Sequence, residues 1–229
     1  MSDLMKIGSD WGGAGDFKPF TSGISGGQRI VDSHARFFDS TISSRRFMGG
    51  ASITSINNAT FTIATTGATA TPIIGLWNPL SNNKYLVVEQ AMLSVVLTAL
   101  AATGPGGFVW ATSVGNAAIS TGSTPINALT FLAGGSNAKF YAGTALTGMT
   151  GTLAVLRGAG LGGGSAENVS FTATAVAMQT QVQAQVENID GSIVISPGGV
   201  LALLATTTPV AHSVVPGIVW EEVPLLVTV

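Results

Sequence analysis

Six carboxylates lie beyond residue 49: Glu89, Glu167, Glu187, Asp190, Glu221 and Glu222. Paired carboxylates offer general acid–base chemistry, so their spacing is the first thing to read. Glu221 and Glu222 are adjacent, and on a strand neighbouring side chains point to opposite faces, so the two cannot serve one substrate. Glu89 sits inside the apolar run LVVEQAMLSVV. Buried there, it could have a raised pKa and act as an acid. It could equally pair with Lys84 or Arg157 at an interface, which is the reading we favour. Neither His34 nor His212 has a histidine or carboxylate pair at metal-ligand spacing. His34 lies beside Asp32 and Arg36, and His212 is expected in the loop TTTPVAHSVVPG. The glycine-rich stretches GPGGF (104–108) and GLGGGS (160–165) lack the lysine of a phosphate loop and read as turns. There is no GxSxG and no Ser/His/Asp order. The sequons at Asn58 and Asn168 matter only in a secretory pathway. Basic residues beyond position 49 are Lys84, Lys139 and Arg157. Catalytic sites concentrate ionisable groups, and this is thin material for one. The expectation is a protein that is not an enzyme, with no cofactor and no metal.

The composition points the same way. Charged residues are 9% of the 229, against a typical ~25%. Hydrophobic residues are 46%, with a mean hydropathy of +0.48. A soluble monomer needs charged surface, so partners are expected to cover much of this one. The longest apolar run, 86–102, falls short of the ~20 residues of a spanning helix and contains Glu89 and Gln90. Residues 1–20 carry Asp3, Asp10 and Asp16 and lack the apolar stretch of a secretory signal. No membrane association is expected. Net charge is −2, and no basic stripe with interleaved aromatics crosses the β region, which argues against nucleic acid as a partner, although Arg45-Arg46 in the first block could touch nucleic acid or equally a protein carboxylate. There is no cysteine, hence no disulfide.

The elements divide the chain in two. Residues 1–48 form a glycine-rich block of mixed charge with scattered aromatics and no sustained period, apart from a short helical turn in Val31–Asp39. This block reads as an extended, largely irregular N-terminal arm. Its candidate anchors for a partner surface are Trp11, Phe17, Phe20, Arg29, Arg36, Phe37, Phe38, Arg45 and Arg46, because aromatic and Arg side chains dominate contact energies. Gly49-Gly50 marks the expected junction. Residues 49–229 read as eight to ten strands separated by Gly/Pro turns, an all-β jelly-roll-like β-sandwich. Candidate strands include ATFTIAT, TPIIGLWN, KYLVVEQAMLSVVLTAL (one bulged strand or two kinked ones), GGFVWATSV, KFYAG and TLAVLRG. In 167–188 the alternation of Val182, Ala184 and Val186 with glutamines favours strand. DGSIVI, SPGG and VLALLATT read as a hairpin, residues 115–165 as a looser middle, and the last run as GIVWEEVPLLVTV.

The phrases IIGLWNPLSNNKYLVVEQAMLSVV (73–96), VWATS (109–113), NIDGSIVISPGGVLALLATT (188–207) and GIVWEEVP (217–224) carry a resemblance. In pattern they resemble tailed-phage virion proteins of the decoration, or cement, type, and in particular the jelly-roll cement proteins of cyanophage-like capsids. The resemblance implies a homotrimer with an extended arm. It would bind the major capsid protein on the outer surface of the virion and bridge subunits of the assembled shell, after assembly in the host cytoplasm. It implies no catalytic or ligand residue. The same hairpin pattern occurs in other trimeric jelly rolls. The alternative is therefore a phage fibre or receptor-binding head that recognises a cell-surface glycan, with Trp77, Asn78 and Tyr141 as its candidate contacts. A metal-dependent jelly-roll enzyme would need a His/Glu cluster that two isolated histidines do not supply. A self-assembling coat protein would usually carry a strongly basic arm.

Overall fold

The run Val200–Ala205 is buried at all six positions. A strand with no exposed face must lie in a sheet covered on both sides. The computed structural model, which describes residues 37–51, 54–56, 70–97, 108–120, 122–161, 182–205 and 212–225, shows how that cover arises. In chain order the described elements are α1 (Phe38–Ile42), β1 (Arg46–Gly50), β2 (Thr54–Ile56), β3 (Ile74–Trp77), β4 (Lys84–Leu97), β5 (Phe108–Ser113), β6 (Ile126–Asn127), β7 (Lys139–Tyr141), β8 (Ala154–Gly158), β9 (Val182–Ile195), β10 (Val200–Ala205) and β11 (His212–Pro224).

The strands form two antiparallel sheets. The first has the order β6-β1-β11-β4-β9, with β2 also paired to β11, and the second has the order β7-β3-β10-β5-β8. Setting aside the short β6 and β7, the orders β1-β11-β4-β9 and β3-β10-β5-β8 are those of two interlocked Greek keys. The chain crosses from sheet to sheet at every step between these strands except β5 to β8, which pair with each other. The protein is an all-β, jelly-roll-like sandwich.

Between the sheets lies one core. Phe47, Leu86, Leu93, Ile193, Ile218 and Trp220 meet Ile74, Leu76, Trp110, Phe140, Leu201 and Leu203 there. A second core lies on the far side of the second sheet. Residues 114–153 bring Ile119, Leu146, Met149 and Leu153 onto Trp77, Ala111, Tyr141, Val200, Ala202 and Leu204. This excursion is the cover that makes β10 apolar on both faces, so the expected loose middle is a packed layer.

Three expectations need correction. The predicted DGSIVI–VLALLATT hairpin is an arch between sheets: β9 pairs with β4, while β10 pairs with β3 and β5. Gly198, at φ +77°, turns the corner, and its N–H donates to the Asn78 carbonyl at 2.8 Å. Asn78 Nδ2 donates to the carbonyls of Lys84 and Ile195, tying three corners together. Ile193 and Ile195 thus face Leu201 and Leu203 across the core rather than lying beside them. Second, the junction expected at Gly49-Gly50 lies inside β1, which pairs with β11 from Arg46↔Glu221 to Gly50↔Gly217. Gly49 is required by close approach, because a Cβ there would come within 2.5 Å of the Phe140 ring. The compact unit that contains the sandwich begins at Ser40. Third, His212 belongs to a strand, paired with Leu97 and Ile56, and not to a loop. Of the helical turn expected in Val31–Asp39, residues 31–36 lie outside the described residues, and α1 at Phe38–Ile42 overlaps it only at Phe38 and Asp39. ATFTIAT and the final LVTV lie outside the described residues.

Candidate interaction surface

Arg45, Arg46, Lys84 and Arg157 are each spent on a glutamate of the sandwich. Along β4, Val88 pairs with Trp220 and Gln90 with Val219, leaving Glu89 as the extra residue of a bulge. The bulge aims its carboxylate at Arg46, whose Nε donates to Glu89 Oε2 at 2.7 Å. Lys84 Nζ reaches Glu222 Oε2 at 2.7 Å, and Ser136 Oγ donates to the other oxygen of Glu222. Arg157 bonds Glu187 Oε1 at 2.9 Å, and Trp110 Nε1 donates to Glu187 Oε2 at 2.9 Å. Arg45 and Glu221 form a more exposed pair at 3.2 Å. The four described glutamates are therefore all ion-paired within the chain. The interface partners expected for Glu89, Lys84 or Arg157, are bound elsewhere: a buried carboxylate must be neutralised locally, and Arg46 is the cation that the β1–β11–β4 register brings near it.

The remaining polar groups serve the fold. Tyr141 is raised to about 12 by burial, and its hydroxyl donates to the Ser120 carbonyl at 2.6 Å. A phenol held neutral this firmly is no base near neutral pH. Among the described residues no three His, Cys, Asp or Glu side chains converge as a metal site. No described helix is long and apolar enough to cross a membrane.

Apolar surface is what the sandwich offers outward. Alternation sends Leu86, Leu93 and Val214 into the core, so their neighbours Val87, Met92 and Val215 face out from the first sheet, partly exposed, while Val219 on the same face is buried. On β9 the inward position falls to Glu187 and Ile189, and Val186 stands 56% exposed. Val194, farther along β9, is also exposed. At the same side of the molecule, β8 is exposed at all five positions, including Val155 and Leu156. Across the sandwich, the loop after β6 presents Leu129, Phe131 and Leu132, the last two 73% and 69% exposed. That loop is rigidly built. Asn127 Oδ1 accepts from the N–H groups of Leu129 and Thr130, and Asn127 exchanges backbone bonds with Phe131 and Leu132.

Of the anchors read from the sequence, Trp11, Phe17, Phe20, Arg29 and Arg36 lie outside the described residues. Phe37 precedes α1 and Phe38 opens it. Arg45 and Arg46 carry intrachain ion pairs, which ties them to the sandwich edge. The glycan-contact candidates are withdrawn from solvent: Trp77, Asn78 and Tyr141 are all buried. The loop 127–132 was not singled out from the sequence. Its signal was an apolar pair, Phe131-Leu132, inside a run from 115 to 138 that has no charged residue.

No family model, no curated protein and no solved structure matches this chain.

Proposed function

We propose that the protein is a structural component of a virus particle: a homotrimeric decoration, or cement, protein on the outer capsid surface. It binds the assembled shell of the major capsid protein and stabilises it by bridging subunits. The observation that carries this reading is the division of its surface chemistry. The described glutamates are neutralised within the chain, and apolar side chains are left facing out along one sheet and two edges. Such a surface suits burial against other subunits better than turnover of a substrate. The jelly-roll fold and the aromatic and Arg residues of the N-terminal segment also support it. Residues 1–39 reach about 130 Å at full extension, enough to cross more than one neighbour. Three such segments on one trimer would reinforce each other through effective concentration.

The test is copy number in purified particles, by quantitative mass spectrometry against the shell subunit. Hundreds of copies in a simple ratio support the cement reading. A few to a few dozen would move the protein to the tail, as a receptor-binding head, and would require glycan contacts other than Trp77, Asn78 and Tyr141.

A further inference from the structure

Asp190-Gly191 is the one place in the 229 residues where an aspartate or asparagine precedes a glycine. It stands at the tip of a blister in β9. Val88 of β4 pairs with Ile193 and Gln90 with Asn188, so residues 189–192 stand against the single residue Glu89. β9 is the end strand of its sheet, so among the described strands no other ladder takes up Asp190 or Gly191. Ile189 and Ile193, both buried, pin the blister to the core on either side. Across its base, Ser192 Oγ donates to the Ile189 carbonyl at 2.7 Å. Asp190 itself is exposed. We propose that Asp190 is a covalent modification site of the folded protein: its side chain closes on the Gly191 amide and reopens as L-isoaspartate. The proposal goes beyond the virion reading and does not depend on it.

The step needs no co-reactant. The Gly191 nitrogen attacks Asp190 Cγ, and the new C–N bond closes a five-membered succinimide. The proton of the nitrogen and a hydroxyl of the carboxyl group leave together as water. Water then adds back at either imide carbonyl. Opening at Cγ restores aspartate. Opening at the main-chain carbonyl leaves Gly191 bonded to Cγ, which is isoaspartate. The net change in atoms, charge and oxidation state is nil. Ring closure is intramolecular, so its rate follows how readily the two atoms meet.

The blister favours closure in three ways. Its turn selects the reactive pair. Asp190 and Gly191 sit at φ +53° and +77°, the φ signs of a type I′ turn, which draws Asp-Gly. A Cβ on residue 191 would lie 3.2 Å from Val87 Cγ1, so packing demands glycine as well. With no side chain there, the Gly191 nitrogen is open to attack. Next, rotating Asp190 until Cγ meets that nitrogen breaks no pair of the β4 ladder. Last, the product relieves strain. An L residue in the left-handed region suffers from its Cβ against the following carbonyl oxygen. In isoaspartate that Cβ becomes main chain, and the clash goes. The added methylene falls on residues outside the ladder, so the sandwich stays folded around it.

The test is to age the full-length protein in neutral buffer at physiological temperature. Isoaspartate is read by an isoaspartyl methyltransferase, which moves the labelled methyl group of S-adenosylmethionine onto it, and is placed by electron-transfer fragmentation in a mass spectrometer. Isoaspartate should accumulate at residue 190 while melting stays cooperative at the fresh protein's midpoint. The signal should be lost in Asp190→Glu, whose longer side chain would have to close a six-membered ring. Asp190→Asn keeps the turn chemistry and forms the same ring by losing ammonia, so isoaspartate should appear there faster, with the mass gain of amide to acid. Aged folded protein without isoaspartate at residue 190 would overturn the proposal; the chain aged alongside in urea shows that the assay detects it. Isoaspartate confined to molecules that have lost cooperative melting would overturn it too, as would a methyl signal undiminished in Asp190→Glu.

Discussion

Val200 and Val186 are valines on strands of the same sandwich, yet one is completely buried and the other more than half exposed. The difference belongs to their sheets. The outer face of the second sheet is covered by residues 114–153, which carry their own apolar side chains onto it. The outer face of the first sheet is also rich in Val and Met, and there Val219 is buried while Val186 and Val194 stay exposed. Strand composition alone therefore does not say whether a face is interior. One sheet is covered on its outer face by its own chain, whereas the other keeps valines such as Val186 and Val194 exposed, as antiparallel sheets with one core face allow.

The comparison can be broken most severely by placing one charge on each outer face. Leu204→Asp, under the 114–153 layer, should cost about 5 kcal/mol, enough to consume much of an ordinary domain's stability, while Val186→Asp should change it by under ~0.5 kcal/mol. Chemical denaturation of the two variants checks this, and equal losses would mean that the first sheet is covered after all. Next in size is the strut beneath the bulge. Glu89→Leu should cost about 3 kcal/mol, because it leaves the partly buried Arg46 guanidinium without its carboxylate. Tyr141→Phe addresses the covering layer at smaller cost, about 1–2 kcal/mol from the orphaned Ser120 carbonyl. It should also alter the alkaline limb. The folded pKa lies near 12, above the ordinary value of 10, so the stability linked to this phenol is intact below pH 10 and lost as pH rises toward 12. The phenylalanine variant should show a shallower decline in melting temperature across that window. The smallest effect has the opposite sign. Phe131→Gly should stabilise the protein by up to about 1 kcal/mol by relieving the left-handed φ, read as a higher denaturation midpoint.

Much of the sandwich was legible because its signals were local. KYLVVEQAMLSVVL is one strand with a bulge, FVWATS and KFY are strands, and the Val182–Val186 alternation marks β9. What misled was pairing. Strand, PGG turn and strand look alike in a hairpin and in an arch between sheets; the decision is made by Asn78, distant in sequence from the turn it clamps. Gly49-Gly50 looked like a linker because the demand for glycine comes from Phe140, on another strand. The pairing of Arg46 with Glu89 was hidden for the same reason: 43 residues separate the partners, and only the β1–β11–β4 register brings them together. The exposed tip was hidden because an apolar pair between turn residues looks the same whether it points inward or outward.

The position of β11 sets the timing of folding. It lies between β1 and β4, and among the described strands nothing else joins them in the first sheet. Until residues 212–224 leave the ribosome, β4 and β9 can pair, but β1 has only the two-residue β6 beside it. Phe47 and Trp220, whose rings stack at 6.3 Å, cannot meet. Closure of the sandwich is thus a late, long-range event, of the kind that makes β-rich chains fold on millisecond-to-second scales. During that delay the open strand edges and apolar faces are vulnerable to aggregation, so yield should depend on temperature and synthesis rate more steeply than the stability of the finished sandwich would suggest.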